Sequence, residues 1–454
     1  MLEETRRVYS IGTLHYTFRG LVILFAWLLW GDFCFVLFEA IFGRFMPLFL
    51  KQLQASDTWI SVLTGSTAGC MNLLFLPHIS MWSDRHRGRW GRRVPFLFFA
   101  TPGTVIALCL IGFSPEIGGW VCAHVPLPAA ITRVTVILLV LSVFVVAFHF
   151  CNMILWNVFY CFLRDVVPTE VMPWCLSGFR VVSTAGGLLF NWLIFPHVLI
   201  DRQLVCAGVG LLYLVAFMTM CWQVKEGKYP PLPVAERPRG NVLRTYGGYF
   251  KTCLALPFYR NYFIMYVLVS LGGLAAGQFG ALFLQKSLGL SLTEMGNIQN
   301  WCIGAGLLCL LPSGYLCRKF PPLPVYLGSM VCSIVVSLLS YWFVHDKATV
   351  LAYSILATVP AAIAYIAQTM TTMALFPKEK YGQFSSGLNV FSFGCIILGS
   401  ILVGYLMDRS GHNYRLHFLL SAAGNALALV PLILVYRGWK RYGGATSFVP
   451  PAVG

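Results

Sequence analysis

Two carboxylates stand inside the first long apolar run of this sequence. Asp32 follows Trp30-Gly31, and Glu39 comes seven residues later. On a helix that spacing returns to the same face two turns away. A charged side chain at a bilayer centre costs at least ~2.5–3.5 kcal/mol on insertion scales, so acids there by default mark a ligand pathway or a proton relay. Both are therefore candidates for coupling, and Asp32 also for binding. The competing reading is an acid paired structurally with another helix or, for Glu39, one at the outer interface.

One arginine, Arg180 in Ser177-Gly178-Phe179-Arg180, also falls inside an apolar run. Its planar fork suits a carboxylate or a pair of hydroxyls; otherwise it reaches back to the headgroups. His149, Asn152, Trp156 and Tyr160 recur at i, i+3, i+7 and i+11, with Asn157 beside them. An aromatic ring under a C–H face, with amides on hydroxyls, is the mixture that holds a carbohydrate. His149 is the stripe's titratable member, although a buried neutral histidine is the simpler reading. The second part of the chain offers neutral candidates: Gln278, Gln299, Asn300, Trp301, Gln368, Thr371 and Asn389. Each would serve equally as a helix–helix hydrogen bond.

These residues need membrane helices to position them. The chain has 454 residues, 58% hydrophobic and only 11% charged, with mean hydropathy +0.75. A soluble domain carries about 25% charged residues. About twenty apolar residues cross a bilayer, and twelve such runs fall near 21–43, 58–81, 95–114, 132–160, 176–197, 204–224, 260–284, 292–317, 322–344, 348–375, 383–407 and 416–437. Alternate loops hold 23 and eight Lys+Arg. The positive-inside rule then places both termini in the cytoplasm. The net charge of +16 is spread over these short loops, which argues for membrane orientation and against a nucleic-acid partner. The fifteen cysteines show no paired spacing, so neither disulfides nor a metal site is expected. Met1–Arg19 reads as polar, without a signal peptide.

Residues 225–257 are polar and proline-rich and read as a cytoplasmic linker between an N-terminal bundle (1–224) and a C-terminal bundle (258–454, with a short tail). The pattern P-x-E-x6-S-G occurs at Pro168–Gly178 and again at Pro377–Gly387, 209 residues apart. The two six-helix halves are thus expected to be related by duplication.

The densest cationic stretch is Trp82-Ser83-Asp84-Arg85-His86-Arg87-Gly88-Arg89-Trp90-Gly91-Arg92-Arg93-Val94-Pro95-Phe96, wedged between the second and third runs. A stop-transfer cluster would need only the positives. The spacing S-D-R-x3-R-W-G-R-R-x-P-F closely resembles the loop between helices 2 and 3 of major facilitator transporters. Within them it looks most like the glycoside-pentoside-hexuronide:cation symporters and the related sucrose-type carriers. The resemblance covers the chain in topology; its specific motifs cover helix 1, this loop and the helix 4–5 region.

The resemblance implies an all-α membrane fold of twelve transmembrane helices in two six-helix bundles. It also implies secondary active transport of a sugar or glycoside by alternating access in the cell membrane, by a monomer. Asp32 resembles the family's sugar-binding aspartate in helix 1. Arg180, seven before Gly187, resembles its helix-5 arginine. By the same resemblance Asp84, Arg85, Arg89, Gly91, Arg92 and Arg93 would gate. Asp84 would meet Arg85, Arg92, Arg93 or the helix start near Tyr381–Ser386, because an anion just past a helix C-terminus needs compensation.

Two departures argue against sodium. The family's acids before a helix-2 proline are missing from Met71–Pro77, and the eleventh run has no lysine. The expected coupling ion is a proton, with no cofactor and no metal. The alternatives are a carrier or exporter of another small molecule, such as an organic acid or drug, and a transport-dead sensor. A membrane enzyme would need a clustered catalytic set at one interface, and none is present in the pattern.

Overall fold

The computed structural model describes residues 8–451 except 127, 129–130, 230–252 and 378–379. Twelve helices among the described residues are long and apolar enough to cross a membrane: α1 Phe18–Gln52, α2 Asp57–Arg85, α3 Val94–Gly112, α4 Arg133–Val166, α5 Met172–His197, α6 Arg202–Gln223, α7 Pro257–Ser287, α8 Leu292–Lys319, α9 Pro322–Phe343, α10 Lys347–Leu375, α11 Tyr381–Arg409 and α12 Leu416–Arg441. Each matches one apolar run. The longest, α1, has 35 residues, or roughly 52 Å at 1.5 Å per residue. It therefore continues beyond the ~30 Å that the apolar stretch alone must cross.

Local chemistry sets the ends. Thr17 caps α1 by accepting the Gly20 N–H at 3.2 Å. Capping boxes at Ser291/Glu294 and Asp346/Thr349 open α8 and α10 and satisfy backbone donors that the first turn leaves unpaired. Hydrogen bonds from the Thr349 backbone and side chain hold the Asp346 carboxyl below its usual range. Besides a four-residue helix at Gly444–Ser447, two small elements among the described residues escape the sequence reading. One is a hairpin of β1 Tyr9–Ile11 and β2 Leu14–Tyr16, turning at Gly12 with φ +55°. The other is a short helix, Ser114–His124, between α3 and α4. Strands of three residues carry too little alternation to register.

The chain forms two compact units. The first comprises 1–56 and 67–236; the second comprises 57–66 and 237–454. Most of the expected linker, 230–252, and Glu379 of the repeat lie outside the described residues.

The first unit is cored by aromatic side chains. Phe42 stacks on Phe148 at 4.3 Å, and Phe38 on Tyr213 at 4.6 Å. In the second unit Tyr259 meets Phe384 at 4.7 Å, and the Tyr262 hydroxyl meets Thr372 Oγ1 at 2.5 Å. In lipid no hydrophobic force drives helices together, so close packing and hydrogen bonds must do it. Glycines supply the closest approach. A Cβ on Gly424 of α12 would lie 2.5 Å from the Cα of Gly272 in α7, and Ser421 donates to the Gly272 carbonyl at 2.8 Å. π-helical turns at Val62–Ser66, Phe190–Ile194 and Phe283–Ser287 interrupt α2, α5 and α7.

The α7–α12 crossing is directly testable. Gly424→Ala should cost about 1–3 kcal/mol through overpacking and lower the thermal midpoint of the purified protein. Gly280→Ala, where a Cβ meets nothing within 4 Å, should leave it in place. Equal midpoints for both variants would contradict the packing described.

Candidate functional site

The two acids of α1 face different neighbours. Asp32 is buried, and its carboxylate accepts a hydrogen bond from Ser183 Oγ of α5 at 2.8 Å. Glu39, half-buried, accepts one from Asn152 Nδ2 of α4 at 2.5 Å, with the Trp156 side chain as a second partner. Neither acid is in an ion pair with Lys or Arg among the described residues. Arg180 is exposed, three residues before Ser183. At that spacing the two share a face of α5, so Arg180 lies one turn along the seam that holds Asp32.

The α4 stripe divides. His149 sits in the aromatic layer, edge-on to Phe42 at 4.8 Å. Trp156 and Tyr160 stack on each other at 5.3 Å and stay substantially exposed. Together with Asn72 and Leu76 of α2, and with Met153, Asn157, Cys161 and Arg164, they line a pocket of about 510 Å³. Asn157 is anchored there by donating to Ser80 Oγ at 2.6 Å. Two amides, two stacked rings and a guanidinium thus share one cavity, joined to Glu39 of α1 through Trp156.

The second unit's candidates do not gather. Gln278 is buried and donates to Ser400 Oγ at 2.9 Å, leaving its Oε1 without a partner among the described residues. Gln299, Trp301 and Asn389 are exposed, and Gln368 is half-buried. Thr371 is buried, its hydroxyl without a hydrogen-bond partner among the described residues.

The arginine loop builds a tight ionic knot. Arg93 is 1% exposed and pairs with Asp84; it also reaches Asp165 at 3.3 Å. Arg92 grips Asp165 with two donors, at 2.9 and 2.7 Å. These hydrogen bonds and the Asp165 charge raise the Arg92 pKa in spite of its burial. Glu226 completes the knot. Its carboxylate accepts the backbone N–H groups of Arg92, Arg93 and Val94 at 2.9, 2.7 and 2.7 Å, which places a negative charge at the positive end of α3. Gly91 has φ +98°, and a Cβ there would meet Glu226 Cδ at 2.6 Å; only glycine fits. The Tyr229 ring lies 4.2 Å beneath Arg92, and burial, with the Glu226 charge behind it, raises its hydroxyl pKa. Arg93 is thus the cation that compensates Asp84. Asp165 and Glu226 were missed in the sequence. With only sixteen acids in the chain, their closeness to predicted helix ends was the available signal.

A second network was also missed. Asp408 of α11 accepts the Asp57 and Thr58 N–H groups at 2.7 and 2.9 Å and the Thr58 hydroxyl at 2.6 Å, capping α2. Asp57 in turn takes His412 Nδ1 at 2.6 Å and the Tyr414 hydroxyl at 3.0 Å. Burial, and then the Asp57 charge, raise the Tyr414 pKa. No metal was expected from the sequence, yet Asp57, Asp408 and His412 bring ligand atoms within 4.8 Å of one another. Their carboxylate oxygens already take donors from the chain, as a helix cap requires.

The membrane helices thus hold one buried and one half-buried acid against neutral donors. The chain belongs to the Major Facilitator Superfamily, whose model matches residues 28–394 and 262–444. It is therefore a multi-pass membrane transporter. It is 25% identical over 224 residues to a general alpha-glucoside permease of Schizosaccharomyces pombe (strain 972 / ATCC 24843); the match spans 46% of this chain and 38% of the permease. Among solved structures it resembles a bacterial homologue of the iron transporter ferroportin in an inward-facing state (TM-score 0.68, 16% identity, 91% of this chain and 99% of that one). It also resembles the nucleoside transporter NupG (TM-score 0.63, 14% identity, 92% of this chain and 99% of that one). At such identities the likeness concerns the fold.

Removing Asp165 should expose the role of the knot. Asp165→Ala strips the buried Arg93 of one partner and Arg92 of its main one, and should cost on the order of 3 kcal/mol. Asp165→Asn should cost less. Thermal melts of the two variants would show this order, and an unchanged midpoint for Asp165→Ala would refute it.

Proposed function

We propose that the protein is a secondary active transporter that carries a sugar or glycoside together with a proton by alternating access. The observation that carries this reading is the pair of α1 acids held by neutral donors, one of which, Glu39, adjoins the ring-and-amide pocket of α4 through Trp156. A carboxylate hydrogen-bonded to Ser183 can take up a proton without leaving a cation unpaired, as it would if its partner were an arginine. Stacked rings and amides suit the alternating C–H and hydroxyl faces of a carbohydrate. The named permease relative supports the substrate class. In the α2 segment 71–77, Asn72 stands without an acid and donates to the Ala68 carbonyl at 2.8 Å, which supports proton over sodium.

In this reading Asp32 binds and couples, Glu39 tunes the Trp156 side, and the Asp84–Arg93 knot gates. His149 packs. The protein works as a monomer in the cell membrane, with no cofactor and no catalytic step. A second reading, an organic-acid carrier, is favoured by one feature: Arg180 and Arg164 both stand close to the site.

Proteoliposomes with an imposed proton gradient test both. Alpha-glucoside accumulation should occur with the unmodified chain and vanish in Asp32→Asn, while counterflow without a gradient persists. Trp156→Ala should weaken half-saturation roughly two- to twelvefold, given ~0.5–1.5 kcal/mol for a lost aromatic contact. Gradient-driven uptake of organic acids alone, lost in Arg180→Ala, would replace the sugar reading.

A further inference from the structure

The first unit contains a second, larger cavity, which shares no lining residue with the α4 pocket. About 640 Å³ in volume, it lies between the tip of the arginine loop and the segment that follows α6. Four cations line it: Arg87, Arg89, Lys225 and Lys228. The single acid in its wall is Glu226, whose oxygens are turned to the backbone of Arg92–Val94. The loop has therefore sorted its charges. Arg92 and Arg93 are consumed by acids, whereas Arg89, Lys225 and Lys228 are exposed and in no ion pair among the described residues.

The cavity is also built. Gly88 and Gly91 exchange backbone hydrogen bonds at 3.4 and 3.2 Å, closing the loop tip. The N-terminal hairpin holds the opposite wall, because Thr13 Oγ1 accepts the Lys228 N–H at 2.7 Å. Arg87 is placed over the Tyr229 ring at 5.5 Å. Trp90 and Trp222 complete the wall, 57% and 81% exposed. Exposed tryptophans at a helix end belong at headgroup depth.

We propose that this cavity binds a phosphate group, presented either by an anionic phospholipid headgroup or by a soluble phosphate ester. Like charges gathered in one wall repel unless an anion joins them. A phosphate offers several acceptor oxygens in different directions, which a ring of separate Lys and Arg donors can meet at once. The volume suits a headgroup or small ester, being inside the ~300–1,000 Å³ usual for ligand sites. A nucleic acid would need an extended basic stripe, whereas these four cations line one compact cavity.

The test uses the full chain in nanodiscs of phosphatidylcholine, with and without phosphatidylglycerol. Retained lipid is counted by native mass spectrometry, and thermal midpoints are read in parallel. Inorganic phosphate and glycerol 3-phosphate are titrated into the phosphatidylcholine discs. The variant R89Q/K225Q/K228Q is compared with R437Q/K440Q/R441Q, which removes the same charge from the end of α12. Each basic residue near an anionic surface contributes roughly a fivefold effect, so the pocket variant should lose phosphatidylglycerol retention on the order of a hundredfold. The α12 variant should lose far less. A midpoint raised by soluble phosphate in neutral discs, and abolished only in the pocket variant, would assign the soluble source; a response to phosphatidylglycerol alone would assign the lipid. Equal losses in the two variants, or no response of the unmodified chain to any of the three probes, would overturn the proposal. Should the triple variant fail to fold in neutral discs, K228Q and R89Q singly should each lose roughly fivefold.

Discussion

A buried arginine governs the basic end of the first unit. Arg93 is sealed from water, and a guanidinium in that position must be met by anions or it would unfold its surroundings. Two acids meet it from different helices, Asp84 at the end of α2 and Asp165 near the end of α4. The backbone donors leading into α3, those of Arg92, Arg93 and Val94, meet a third, Glu226. One cation thereby fixes the ends of α2, α3 and α4 and the start of the post-α6 segment in a single arrangement. The surface cavity next to it is left with positive charge because the available acids have been spent inside.

Within the bilayer the logic reverses. There the two acids of α1 have a serine, an asparagine and a tryptophan as partners. Pairing them with cations would hold the charge permanently; neutral donors keep either protonation state within reach. Salt bridges thus tie the helix ends of the arginine loop, whereas neutral hydrogen bonds hold the two acids of α1.

Much of this was legible beforehand, unevenly and for physical reasons. Twelve spans followed from apolar run length alone, because lipid leaves no other way to satisfy the backbone. The unusual position of Asp32 could be read from one residue in one run. The stripe at 149, 152, 156 and 160 gave the helical face but not its division, since packing His149 among Phe42 and Phe148 depends on α1. Asp165 and Glu226 were invisible as partners of the loop, because 72 and 133 residues separate them from Arg93. The same holds for Asp57 and Asp408, 351 positions apart. Local patterns specify elements; the ionic ties between them are set only by the fold.

The grouping of Asp57–Ser66 with the second unit bears on how this architecture could be divided. Sequence duplication places the seam in the linker, yet a fragment beginning after that linker would lack the helix start that Asp408 and Tyr414 serve. It would carry three hydrogen-bonding groups shaped for a missing segment, Asp408, His412 and Tyr414, together with the cleft at Gly404, where a Cβ would meet the Cα of Thr58 at 2.6 Å. The repeat in the gene and the modules of the folded chain are therefore offset by ten residues. Dissecting the protein into autonomous halves, or recombining halves between relatives, would have to carry the start of α2, Asp57–Ser66, across the junction to preserve a complete second module.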